Sequence, residues 1–246
     1  MGSLKRPSKY RLDLLNGTLN LRPVYGLPPS RRILRSGNLG ALSAQDIKGL
    51  REEVGINHYL DLRNQSELVP EQLRRRFREC GANWQWFPLG EFPARFREQS
   101  QPSSVDYSDY YLDILHNNSE ILRDLLSFVG EAECRNFVFG CTLGKDRTGV
   151  VAFLLLALAG APVSIIAGDY WLSKDYILQR ADCLAPHWEK RGMNREAYLH
   201  RIVPHKETMY IFAQEIGLRF GDVTGYLKGI GVADATIRLI QRLLRE

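Results

Sequence analysis

Phe137–Pro162 reads FVFGCTLGKDRTGVVAFLLLALAGAP, and its three parts set the architecture of the chain. Asn136–Phe139 is aromatic and β-branched, the composition of a short strand. Gly140 to Gly149 is too rich in glycine and polar groups to extend that strand and reads as a loop. Thr148 to Ala159 is apolar on nearly every face, which predicts a buried helix, stopped by Gly160 and Pro162. At roughly a dozen apolar residues the helix is too short to cross a bilayer.

A loop that joins a strand end to a helix start gathers backbone N–H groups and the positive end of the helix dipole in one concavity. That concavity suits a phosphate dianion. The same field favours a thiolate, so Cys141 is expected to have a depressed pKa and to act as nucleophile. Arg147, in the first helical turn, has the fork to hold two phosphate oxygens. Thr148 is expected to cap the helix and give its hydroxyl to the sulfur. Gly144 and Gly149 permit a tight loop and close approach. Thr142, Leu143, Gly144, Lys145 and Thr148 therefore line the expected substrate seat.

Cys141, Arg147 and Thr148 at this spacing resemble the Cys-x5-Arg-[Ser/Thr] signature of the cysteine-dependent protein tyrosine phosphatases. The fuller CTLGKDRTG resembles a narrower branch, the atypical bacterial-type tyrosine phosphatases that also act on phosphoinositides or phosphoserine. The resemblance extends over roughly residues 16–246. It takes in Asn20-Leu21-Arg22, Arg35-Ser36-Gly37-Asn38-Leu39, Asp61-Leu62-Arg63 with Glu67, Asp169-Tyr170-Trp171-Leu172-Ser173, and Phe220-Gly221 with Tyr226-Leu227. It departs at Pro23-Val24-Tyr25-Gly26, where the family has Asp-x-Gly-Gly, and at Gly140, where most relatives carry histidine.

The resemblance implies an α/β fold with a central, largely parallel sheet flanked by helices and a C-terminal helical extension. It implies phosphomonoester hydrolysis in two steps through a cysteinyl-phosphate on Cys141. Arg147 and the loop amides hold the equatorial oxygens, and neither metal nor other cofactor is called for. Asp146 is the expected proton donor and then base, with Asp106 and Asp109 ranked behind it. Lys145 is placed as a second positive charge at the pocket rim, which keeps a phosphoinositide or polyphosphate substrate open beside a phosphotyrosine protein. Gly140 in place of histidine predicts a less depressed Cys141 pKa or a different support for the loop. Two other readings stand beside the phosphatase: a phosphate-binding module with little turnover, and a sulfur-transfer or arsenate-reducing enzyme on a related loop.

The rest of the chain frames this centre. It has 246 residues, 44% hydrophobic and 25% charged, an ordinary globular composition that suits one domain over 16–246. A net charge of +5 attracts anionic ligands, but no basic run interleaved with aromatics points to nucleic acid. Cys80, Cys134, Cys141 and Cys183 show no metal-ligand spacing and suggest a reducing, cytoplasmic setting. The start, MGSLKRPSKY, lacks the apolar core of a secretory signal, and Arg6 breaks the myristoylation pattern, so no stable membrane anchor is expected.

Residues 1–15 read as a basic tail. Ile33–Leu34 is a strand, Ser43 with Asp46 opens a helix as a capping box, Gly55 closes it, and Asn57–Leu62 is a second strand expected to lie parallel to the first. Asp61 and Arg63, at that strand's end, are expected to support the loop. Residues 71–79 form a charged helix or turn, 84–89 a strand, 92–104 a loop, and 107–129 two helices broken near Asn118. Residues 174–204 read as a helical lid or cover, followed by helices over 205–246.

Overall fold

The computed structural model describes residues 18–28, 32–90, 93, 96, 99, 101–131 and 134–245. The basic tail expected at 1–15 and six of the thirteen residues of the 92–104 loop lie outside them. The frame is a five-stranded sheet of β1 (Arg22–Pro23), β2 (Ile33–Ser36), β3 (His58–Asp61), β4 (Asn83–Trp86) and β5 (Phe137–Gly140). The order is β1-β2-β5-β3-β4; β1 is antiparallel to β2 and the remaining pairs are parallel. The expected pairing of β2 with β3 is corrected: both are parallel, but β5 lies between them, with Phe137 in register with Ile33 on one side and His58 on the other. A strand reading FVF, apolar on both faces, belongs at the centre of a parallel sheet, covered above and below.

Alternation along the strands sorts the core into two layers. Ile33, Leu60, Phe137 and Phe139 face one apolar cluster, while Leu34, Tyr59 and Val138 face the other. The second cluster is covered by α1 (Ala44–Gly49), the π-helical turn Leu50–Val54 and α2 (Pro70–Glu79). Ser43 and Asp46 form the capping box at the start of α1, and Gly55, at φ +77°, ends the turn.

The larger layer holds α3 (Ser104–Asn117), α4 (Ser119–Gly130), α5 (Asp146–Ala159), α6 (Val163–Gln179), α9 (Thr208–Phe220), α10 (Val223–Gly229) and α11 (Asp234–Arg245). At its centre, α5 packs against α3, α6, α10 and α11 as well as β2 and β5. Helix α5 starts at Asp146 rather than Thr148. Asp146 at its first position lays a carboxylate on the positive end of the helix. Gly160, at φ +83°, ends it.

Between α6 and α9, the short helices α7 (Ala185–Glu189) and α8 (Arg195–Ile202) build a third apolar cluster. Ile177, Leu184, Tyr198 and Leu199 are buried in it, with Leu143 of the loop and Trp188 half-buried against them. Residues 174–204 are thus helical and rest on the loop itself. Among the described residues no helix is long and apolar enough to cross a membrane.

Candidate active site

Cys141 leaves the carboxyl end of β5, and Arg147 sits in the first turn of α5, both buried. The Ser36–Gly37 backbone passes between Gly140 and Gly144. A Cβ on Gly140 would lie 2.5 Å from the Gly37 carbonyl oxygen and 2.8 Å from that of Ser36. One on Gly144, already at φ +70°, would lie 2.5 Å from the Ser36 oxygen. This is the physical reason for glycine at 140: no side chain fits. The loop is instead supported by backbone, with Leu62 N–H donating to the Gly140 carbonyl at 2.8 Å and Asn38 N–H to that of Thr142 at 3.1 Å.

Behind the loop, the Gly144 carbonyl accepts from Asn20 Nδ2 and from an Arg35 guanidinium nitrogen, each at 2.7 Å, and the Lys145 carbonyl from Arg35 at 3.4 Å. In a planar trans peptide the N–H points opposite to the C=O. Tying back the carbonyls of Thr142, Gly144 and Lys145 therefore turns the amides of Leu143, Lys145 and Asp146 the other way, toward the concave side. Arg35 and Arg22 both clamp Asp169: Arg22 reaches Oδ1 at 2.5 Å, Arg35 bonds Oδ2, and Tyr25 N–H donates to Oδ1 at 2.9 Å. Burial opposes ionisation of Asp169, but the two arginines outweigh it and hold the carboxyl below the usual carboxylate range. The scattered segments that carry the resemblance, Asn20, Arg22, Arg35, Asp169 and Ser173, are one buried network holding the loop's shape.

Arg147 is fixed by Glu67 in a two-pronged pair, at 2.5 and 2.7 Å. Thr142 hydroxyl donates to the same carboxylate and lies 3.2 Å from Arg147. Burial pushes Glu67 up, but the Arg147 bonds prevail and bring it to about 2. Burial likewise works against the Arg147 charge, and Glu67 and Cys141 more than restore it, so its pKa lies above the ordinary value. Sequence reasoning did not single out Glu67, which holds Arg147; it was visible only as the acidic end of the Asp61-Leu62-Arg63 segment. Tyr110 was missed as well. Burial keeps its phenol neutral, with Arg147, Asp146, Cys141 and Glu67 all near enough to act on it. Asp61 and Arg63 form a buried pair at 2.6 Å, and Arg63 bonds Asn38, the residue whose N–H holds Thr142. The pair thus reaches the loop through Asn38.

Two expectations are corrected. Thr148 does not cap the helix: Lys145 occupies that position without a side-chain cap bond, while Thr148 is fully buried at the third position of the first turn, its hydroxyl directed to the Ser36 carbonyl at 3.5 Å. Lys145 is not at the rim. It is 1% exposed, with Nζ 3.3 Å from Asp146 Oδ1 and 4.0 Å from the centre of the Tyr107 ring. The reason is the early start of α5, which rotates residue 145 under the loop, where a carboxylate and two phenols compensate a cation. Burial alone would lower its pKa, but Asp146, Tyr107 and Tyr170 raise it above the ordinary value. Asp146 accepts from Tyr111 at 2.7 Å. Asp106 closes the capping box of α3 and Asp109 is exposed on that helix, so neither competes with Asp146 from within the loop.

Helix α7 packs Trp188 against the same apolar cluster as Leu143 of the loop. On that helix His187 is pushed down by burial and by Arg191 and Lys190, with Glu67 acting against them.

A sequence model described as the tyrosine phosphatase family matches residues 14–246. A tyrosine-protein phosphatase of Nostoc commune is 26% identical over 222 residues, covering 87% of this chain and 74% of that protein. A protein of Cupriavidus necator, named as a candidate tyrosine-protein phosphatase, is 31% identical over 150 residues, 56% of this chain and 52% of its own length. Among solved structures, the core catalytic domain of the PP-IP phosphatase SIW14 from S. cerevisiae, in complex with citrate, aligns with 17% identity. It covers 63% of this chain and 75% of that one, at a TM-score of 0.43.

Proposed function

The chain belongs to the tyrosine phosphatase family, and from that premise we propose that it cleaves phosphate from protein phosphotyrosine, in a cytoplasmic setting, through a cysteinyl-phosphate on Cys141. Cys141 sulfur attacks phosphorus in line as the ester oxygen departs, and water then attacks the phosphocysteine and releases phosphate. The observation that carries the reading is the carbonyl tie-back. Asn38, Asn20 and Arg35 hold three loop carbonyls away from the centre, so that the opposite amides and the Glu67-fixed Arg147 converge in front of Cys141. That is a ring of donors placed before any charge develops, the kind of preorganisation that phosphoryl transfer rewards.

Phosphotyrosine is favoured over a polyphosphorylated lipid because Lys145, the cation a second phosphate would need from the loop, is sealed beneath it. Dual specificity toward phosphoserine is a matter of pocket depth, which α7 and α8 set from above. In this reading residues 174–204 are the cover of the site and belong with 16–246 to one domain.

Hydrolysis of p-nitrophenyl phosphate tests the proposal. Turnover is expected to disappear in Cys141→Ser, to be blocked by vanadate and to persist in EDTA. Activity in Cys141→Ser, or its loss in chelator, contradicts the mechanism.

A further inference from the structure

Asp146 is bonded on one side only. Tyr111 hydroxyl donates to Oδ1 at 2.7 Å, and Lys145 Nζ stands 3.3 Å from the same oxygen. Among the described residues nothing bonds Oδ2, and that oxygen is not among the sealed polar atoms lacking a partner, so it keeps access to solvent. Behind Tyr111 stands Tyr170, hydroxyl to hydroxyl at 2.8 Å. A phenol has one hydrogen to give. With that of Tyr111 committed to Asp146, the Tyr170 hydroxyl is the donor to Tyr111, and the chain of bonds runs one way, into Oδ1. Tyr111, Tyr170 and Lys145 are all buried, and Tyr111 is wedged edge-on by Phe212 at 5.7 Å and Tyr170 at 6.1 Å. Burial and the neighbouring Asp146 charge keep the Tyr111 phenol a neutral donor.

An oxygen that already accepts the Tyr111 hydrogen and faces the Lys145 ammonium is a poor seat for a hydrogen of its own. We infer that Lys145, Tyr111 and Tyr170 form a positioning platform that fixes Asp146 through Oδ1 and confines its transferable proton to Oδ2. This inference rests on the phosphatase reading above. In the first step the Oδ2–H bond breaks as an O–H bond forms on the departing ester oxygen, leaving Asp146 a carboxylate. In the second step the carboxylate takes a proton back from the attacking water. Lys145 is on this account a positioning residue and not a contact for substrate, and the Lys-Asp order in the loop places the cation beneath the acid it steadies.

Tyr111→Phe keeps the ring and removes the bond. Steady-state kinetics on an alkyl phosphate, whose leaving group needs a proton, and on p-nitrophenyl phosphate, whose leaving group barely does, read its effect. The expected result is a fall in kcat of about tenfold on the alkyl phosphate. KM should be unchanged, the loss on p-nitrophenyl phosphate should stay within about twofold, and Tyr111→Phe should add nothing to Asp146→Asn. Equal slowing of both substrates, or a full further loss in the Asp146→Asn background, overturns the inference. Should Tyr111→Phe fail to fold, Tyr170→Phe is read by the same split: a smaller loss confined to the alkyl phosphate supports the platform, and equal slowing overturns it. A wild-type chain that turns over nothing sinks the phosphatase reading instead, whereas Cys141-dependent turnover without the split sinks this inference alone.

Discussion

Asp169 and Asp146 are both buried, both face cations and both shape the same loop, yet only one has an oxygen left over. Asp169 is saturated: two arginines and the Tyr25 amide occupy both of its oxygens. Asp146 takes its two partners on Oδ1 alone. The difference separates a carboxylate that holds structure from the one proposed to handle a proton: two guanidinium groups span both oxygens of Asp169, whereas one ammonium and one phenol meet a single oxygen of Asp146.

The largest effect should come from Asp169→Asn. Two buried guanidinium groups would lose their counter-charge, and breaking such a network costs about 3–5 kcal/mol. Urea unfolding should show that loss together with a collapse of activity; a variant of normal stability would erase the contrast. Asp146→Asn strands one cation rather than two and should cost less stability. It should slow alkyl phosphate hydrolysis by about 10²–10⁴-fold while barely touching p-nitrophenyl phosphate; equal slowing removes Asp146 from proton transfer.

A smaller effect is expected of Gly140→Ala, whose Cβ would meet the Gly37 and Ser36 oxygens at 2.5 and 2.8 Å. Overpacking of this kind costs about 1–3 kcal/mol. Installing the relatives' histidine there should therefore lower stability without raising kcat, and a faster histidine variant would refute the backbone account of the loop. The smallest concerns Glu67, which belongs with Asp169 as a saturated carboxylate. Its pKa in the folded chain is depressed from 4.5 to about 2. The stability it contributes is complete above about pH 4.5 and lost as pH falls toward 2. The gap between wild type and Glu67→Gln in urea should close over that window; a gap that stays constant would show that the Arg147 pair adds nothing to folding.

Much of this was legible in the residues. FVF with its apolar helix located β5 and α5, Ser43 with Asp46 announced its capping box, and Cys141 to Arg147 marked the turn from strand to helix. What the sequence could not convey was contact between distant segments. That β5 slips between β2 and β3 follows from which strand is apolar on both faces, a comparison across the whole sheet. That Lys145 points inward follows from α5 starting at Asp146, two residues before the apolar run that advertises it. Glu67 reads as one more residue of the Asp61-Leu62-Arg63 segment, with no sign of its partner, until Arg147, eighty positions later, is brought beside it.

The Gly144 carbonyl is held by Arg35, which is held by Asp169 from α6, so the catalytic loop is tied to two separate layers of the protein. Such a loop has no private melting transition. On heating or in denaturant, turnover and near-ultraviolet circular dichroism should vanish together, and no inactive but otherwise folded species should accumulate between the native chain and the unfolded one.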